Sequence, residues 1–365
     1  MSLPGARQKA LEIFHETYTR EGTTIAFPMC IPGETLSIPA DESHITALDI
    51  TRNGIVYGGT SGRAAHFFTG MFTGSTGMVF DLATIADAES CTAVCCGNDK
   101  FIGCVNDAGG GHIFMRDLQE VPFDITQESS IYNKPLRDLG YPVKGERIIH
   151  AVRDVSREHV VGITENHLFV LDIEKEQIEL VGEVKGSGKL IAGLDGNVFG
   201  MDEPDALFRF NLTKRTLERN AVRLPGGNWQ NAPLIWARDN VSGKLYVADN
   251  DGYIFSFLPG DGFSERLGKT NLSPVKAMAV THDGRLFGFC GEEISNMFCY
   301  NPAKQEVTDN GVAASVIERR RYGYIFGDAV LGRDGQIYFG EDDDLGHLWI
   351  YFPTITKQVL ENIEE

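Results

Sequence analysis

At 365 residues with 42% hydrophobic side chains, the chain is too long for one ordinary core, and its apolar content is enough to bury a large interior. The 33 Lys and Arg against 51 Asp and Glu give a formal charge of -18, which repels phosphate backbones and sets nucleic acid aside as a partner. No apolar run approaches the ~20 residues a membrane helix needs, so a helical membrane span is not expected.

In chain order, Ala10, Leu11, Phe14 and Tyr18 fall on one face of a predicted helix from Ala6 to Tyr18. Thr23 to Met29 then reads as a strand, followed by a loop at Pro32 and Gly33. Residues 1–44 are expected to carry this helix and strand, and 45–365 the main body. No basic start followed by an apolar segment opens the chain, so a cytoplasmic location is expected. The seven cysteines are odd in number, several fall in apolar runs, and none shows paired zinc spacing. They read as small core residues of a reducing compartment.

From about Ile45 one phrase recurs. Its clearest copy is Gly335-Gln336-Ile337-Tyr338-Phe339, an acidic loop from Gly340 to Gly346, then His347-Leu348-Trp349-Ile350-Tyr351. Alternating apolar residues on both sides of a polar break predict an antiparallel strand pair. Counterparts begin at Gly54, Lys100, His159, Gly196, Gly243 and Gly284, which makes seven copies. The 281 residues between Gly54 and Gly335, taken over six steps, give a period of about 47, the spacing of four-stranded blades. These residues resemble the kelch-like and related seven-bladed β-propellers. The resemblance implies an all-β ring of four-stranded antiparallel blades, with Thr23 to Met29 as the candidate closing strand.

In such a ring, the loops joining second and third strands share a face with the connections between blades. That loop face is expected to hold the site, because its segments are longer: 60–76, 106–111 and 340–346 among them. His112, His167 and His347 stand at the loop exit before the third strand, and blade one places His66 there inside Arg63-Ala64-Ala65-His66. Two readings stand for these imidazoles. Each bonds its own blade as part of the repeat, or His347, His66 and His112 converge across blades seven, one and two as ligands or a general base. Glu341-Asp342-Asp343-Asp344 lacks calcium-loop spacing and reads as a solvated acidic loop. Asn228-Trp229-Gln230-Asn231 reads either as a sugar-stacking platform or as a Trp closing a seam between blades. The connection carrying Arg319, Arg320, Arg321, Tyr322 and Tyr324 either supplies carboxylate-binding and proton-transferring groups or, at Arg319 and Arg320, only offsets the acidic surface.

An Arg, His and Tyr grouping on a propeller is similar to the ulvan and oligogalacturonate lyases. That resemblance implies β-elimination on uronic-acid saccharides. Arg321 or Arg63 would neutralise the carboxylate, His66 or His112 take the C5 proton, and Tyr322 or Tyr253 protonate the leaving oxygen. Trp229, Asn228, His167, His347 and Asn106 would hold the saccharide, with no cofactor or a divalent metal. A non-catalytic propeller binding a protein or glycan is the alternative. A metal-dependent sugar or lactone hydrolase would need acids converging in the channel, with Glu165, Asp202 and Glu203 as candidates.

Overall fold

The computed structural model describes residues 21–29, 38–73, 76–118, 135–229, 234–316 and 322–354. Seven antiparallel sheets follow one another along the chain, each entered at its innermost strand. The innermost strands are His44–Ile50, Ala88–Cys96, Ile148–Arg153, Ile191–Ala192, Trp236–Arg238, Val275–Val280 and Phe326–Leu331. Each touches the next, and the seventh touches the first, so the sheets close into a seven-bladed propeller. In blade five the outer strand is split into Gly262–Phe263 and Gly268–Lys269, both paired with Tyr253–Leu258. The predicted helix from Ala6 to Tyr18 lies outside the described residues.

One packing rule repeats around the ring. At the centre of the third strand an aromatic side chain faces the second strand: Phe68, Phe114, Phe169, Phe208, Phe255, Phe298 and Trp349 in blades one to seven. In five blades its partner is a glycine, Gly58, Gly103, Gly162, Gly200 or Gly288. The glycine makes room for a ring: a Cβ on Gly162 would stand 2.1 Å from Phe169 Cζ. The structure also corrects the register of two repeats. Counting back from the paired strands, the equivalents of the turn glycines Gly54, Gly196, Gly243, Gly284 and Gly335 are Asp99 and Glu158, so Lys100 and His159 each lie one residue too far along.

A second correction concerns 60–76. Its centre is the nine-residue strand Ala65–Thr73, the third strand of blade one. Gly70 within it masks the alternation. The connection from the second strand is therefore only residues 62–64.

Ring closure uses both ends of the described chain. Strand Thr23–Pro28 pairs antiparallel with His347–Phe352 and becomes the outer strand of blade seven. Thr24 and Ala26 of that strand also bond Ala314 O and Ser315 Oγ of blade six, at 2.6 and 3.1 Å. On the other side of blade seven, His44 at the start of blade one stands between Asp342 (3.3 Å) and Asp344 (3.0 Å). Hydrogen bonds from His44 to these carboxylates, Asp342 foremost, raise its pKa to about 9 against the opposing effect of burial.

The folded value lies above the ordinary imidazole value of about 6.5, so the seam is strongest below that pH and loses its charge pairing as pH rises towards 9. With Asp344 75% exposed, screening holds the contribution to on the order of 1 kcal/mol. His44→Gln should therefore unfold at a lower temperature than wild type at pH 6, and at the same temperature near pH 10. Melting curves at the two pH values check this, and a gap that widens with pH would contradict it.

Candidate functional site

The four loop-exit histidines are bonded within their own blades or to the segment leading into them. His66 is 3% exposed and lies between Glu42 (Nε2 to Oε2, 2.7 Å) and Asp81 (Nδ1 to Oδ2, 3.0 Å). Burial works against its protonation, yet Asp81 and Glu42 keep its pKa raised. With both ring nitrogens facing carboxylates, it is a charged structural link with no lone pair left for a base. His112 stands between Asp107 (3.1 Å) and Asp138 (3.2 Å) and packs on the Tyr141 ring at 3.8 Å. His167 bonds Glu146 at 2.9 Å, and His347 Nδ1 bonds Leu345 O at 2.7 Å. The backbone N–H groups of His66, His167 and His347 donate to Thr60, Thr164 and Glu341 at the end of their own second strands. Repeat packing thus accounts for their shared position, on the third strand out from the axis.

Other candidates are also held by the fold. Trp229 is 6% exposed, donates to Pro225 O at 2.7 Å and packs on Phe255, so it closes a seam and presents no ring face to a sugar. Asn106 is buried and exchanges two hydrogen bonds with Ile148, stitching blade two to blade three. Asn228 caps the turn at Asp249 and Asp251, and the Tyr253 ring lies under the Arg266 guanidinium at 4.0 Å. Arg63 is 70% exposed and pairs with Asp41 and Glu42. Tyr322 forms an isolated bridge with Ala314, and Arg319, Arg320 and Arg321 lie outside the described residues. The acidic loop is not simply solvated. Glu341 is fully buried and accepts N–H groups from Tyr324, His347 and Trp349, while Asp342 and Asp344 hold His44. Asp202 is spent on Arg219 and Asn220, and Glu165 bonds the Arg147 backbone, so neither reaches the axis. Among the described residues, no group of three or more His, Cys, Asp and Glu is arranged to hold a metal ion.

What the blades do bring together lies on the axis. The innermost strands enclose a cavity of about 270 Å³ to which all seven blades contribute. Most of its wall is small and aliphatic, with Ala93, Ala151, Ala237, Ala279 and Ala329 among the lining residues. Its polar groups fall in two layers. Arg153 and Arg238 occupy the same register, as last residues of the innermost strands of blades three and five, opposite Val160 and Leu245. Arg157 joins them from the turn after blade three's innermost strand. His150, Lys189 and Asp328 stand three residues before the corresponding strand ends in blades three, four and seven, a separation of roughly 10 Å along the axis at ~3.3 Å per residue.

The arginine layer is only partly neutralised. Asp49 of blade one receives Arg153 as a two-pronged pair, at 2.6 and 3.1 Å, and also accepts Cys96 N–H at 2.7 Å. Arg157 donates to the carbonyls of Ile50 (2.7 Å) and Cys96 (2.8 Å). Arg238 donates to Ala192 O and, at 2.9 Å, to Asn240 Oδ1. Among the described residues neither of these two guanidinium groups faces a carboxylate. Three positive charges against one leave an excess of two in an enclosed space, on a chain of net charge -18. Burial, then the charges of Arg153 and Arg157, push Arg238 down to about 10, and burial with Arg153 lowers Arg157. A partly desolvated fork of guanidinium groups suits a carboxylate or another oxyanion.

The site therefore opens among the short hairpin turns, on the face opposite the longer loops. Arg153 and Arg238 escape a search for sequence motifs because each is one charge in an apolar strand. The available signal was a repeated ending, Ala151-Val152-Arg153-Asp154 and Trp236-Ala237-Arg238-Asp239, in two blades.

No protein-family profile matches this chain, and no curated protein sequence matches it. Among solved structures it is similar to virginiamycin B lyase from Staphylococcus aureus, with 9% identity, a TM-score of 0.62, and coverage of 91% of this chain and 100% of that one. It is also similar to the extracellular domain of a candidate one-component system, BT4673, from B. thetaiotaomicron, with 11% identity and a TM-score of 0.53 over 90% of this chain. The match spans 40% of that second chain. At these identities the likeness carries the propeller fold alone, and it joins a lyase and a domain of a different class on one scaffold.

Proposed function

We propose that the protein is a binding propeller that takes a small carboxylate-bearing ligand into its central channel, with an acidic saccharide as the ligand class. The observation that carries this reading is the pair Arg157 and Arg238, two half-buried guanidinium groups that, among the described residues, have no carboxylate of their own beside the Asp49–Arg153 pair. A ligand carboxylate between them would supply the missing negative charge and could be bonded bidentately. A cavity of about 270 Å³ suits a ligand below drug size.

Elimination on a uronide would need a base beside this carboxylate site. His150 lines the cavity, but burial and Lys189 push its pKa down to about 3, and its Nδ1 accepts the Leu190 N–H at 3.1 Å. Its proton is therefore on Nε2, which makes it a donor to a hydroxyl and not a proton acceptor. Recognition without turnover is thus the better-supported reading.

Calorimetric titration with galacturonate and glucuronate, beside galactose and glucose, tests it. The acids should bind and the neutral sugars should not. Arg157→Met and Arg238→Met should each weaken binding by roughly tenfold or more, about 1.4 kcal/mol. Wild-type protein that binds no carboxylate, or arginine variants that bind as well as wild type, would overturn the proposal. Absorbance from unsaturated uronate in the same mixtures would move it to the lyase class.

A further inference from the structure

The channel is crossed by an ion pair. Lys189 of blade four donates to Asp328 Oδ1 of blade seven at 2.8 Å, and to Gly327 O at 2.9 Å. In a ring of seven, blades four and seven are as far apart as two blades can be, so this bond spans the lumen. Its anchoring draws on more of the ring. Asp328 Oδ2 accepts the Leu48 N–H of blade one at 2.8 Å, and Lys189 O accepts Trp236 Nε1 of blade five at 3.2 Å. The Leu190 N–H, next in the chain, is held by His150 of blade three.

A second cavity, of about 190 Å³, lies on the loop side and is bounded by Lys189 and Gly327 together with Ile235, Ala248, Lys276 and Phe326. Lys189 lines both cavities. The braced charge pair therefore lies between two chambers, and among the described residues the arginine-lined one is a cup whose rim is at the turn face.

We infer that the Lys189–Asp328 pair is the floor of the binding cup and restricts its ligand to a single terminal acidic unit, excluding the interior of a polymer. This rests on the anion-binding reading above. A carboxylate held by Arg157 and Arg238 at the rim leaves roughly 10 Å, three strand residues, before the floor. One sugar ring fits that depth. A polymer interior would have to pass through, which the floor forbids. The groups in reach of that ring are the polar ones expected for hydroxyls: the His150 N–H, the Lys189 ammonium and the Asp328 carboxylate.

The test is calorimetry on the full chain with galacturonic acid, its trimer and polygalacturonate. If the floor limits the ligand, binding capacity follows the number of chain ends, and the polymer binds roughly tenfold or more weakly per uronate residue than the monomer. Capacity proportional to total uronate would overturn the inference and leave the anion reading intact. No binding by any of the three would overturn both. The paired substitution Lys189→Met with Asp328→Asn removes the bar at no net charge, and should shift the ratio of trimer to monomer affinity roughly tenfold towards the trimer. An unchanged ratio in folded variant protein would overturn the floor's role. If that variant does not fold, the wild-type comparison decides alone.

Discussion

Arg285→Ala is expected to cost about 3–5 kcal/mol, because it removes one member of a buried charge network that ties both ends of the described chain to blade six. Arg285 is 6% exposed. Its Nε meets Asp283 at 2.8 Å within its own turn, Nη1 meets Glu21 at 2.5 Å just before the closing strand, and Nη2 donates to Thr354 O at 2.7 Å just after the last strand. The Tyr351 hydroxyl adds a bond to Glu21 O at 2.9 Å. Alanine would take the Arg285 guanidinium away from Asp283, a carboxylate 4% exposed in its side chain that also accepts the Thr281 hydroxyl at 2.6 Å. It would also free the end of strand Thr23–Pro28, whose departure exposes the edge of His347–Phe352 with its run of large apolar residues.

Urea unfolding should show the lower midpoint. Hydrogen exchange should show loss of protection beginning in 23–28 before it reaches blades two to five. Arg285→Lys keeps the charge but cannot make three directed bonds from one fork, so it should fall between alanine and wild type. A lysine variant as stable as wild type would mean that charge alone, and not the fork, closes the ring.

The ring itself was legible because its chemistry repeats. A turn glycine followed by an alternating strand recurs wherever the backbone needs a positive φ, as at Gly196 (78°) and Gly284 (79°). Blades two and three have Asp99 and Glu158 at the register of those glycines, and in blade three the positive φ falls one residue earlier, at Arg157 (65°), so there the glycine pattern slips by one residue. The site was not legible for the opposite reason. Histidines at loop exits attract attention because the residue type is versatile, but the repeat places them on the third strand, where Asp81, Asp138 and Glu146 already hold them. Position in the ring decides access to the axis, and the innermost strands and the residues flanking them, such as Arg157 and Lys189, have it. Arg153 in a six-residue strand and Arg238 in a three-residue one look like ordinary strand ends until the ring closes and brings them together.

Asp49→Asn tests that convergence through stability. Asp49 is 7% exposed and, among the described residues, is the carboxylate that pairs within the arginine layer. Asparagine preserves shape and can still accept the Cys96 N–H. It leaves Arg153, Arg157 and Arg238 facing one another without a counter-charge, and loss of one partner of a buried pair costs about 3–5 kcal/mol. The cost should depend on anions in solution. A bound anion stabilises by RT ln(1 + [L]/Kd), and the variant, with one more uncompensated positive charge, binds it more tightly than wild type. Sulfate or galacturonate should therefore raise the melting temperature of Asp49→Asn by more than that of wild type, and sodium chloride at equal ionic strength by less than either. Arg153→Met placed on top of Asp49→Asn removes the excess charge and should recover part of the loss, while erasing the extra response to anions. Equal responses of wild type and Asp49→Asn to sulfate would mean that the three guanidinium groups are satisfied by their backbone carbonyls alone, and the cup would then have no claim on an anion.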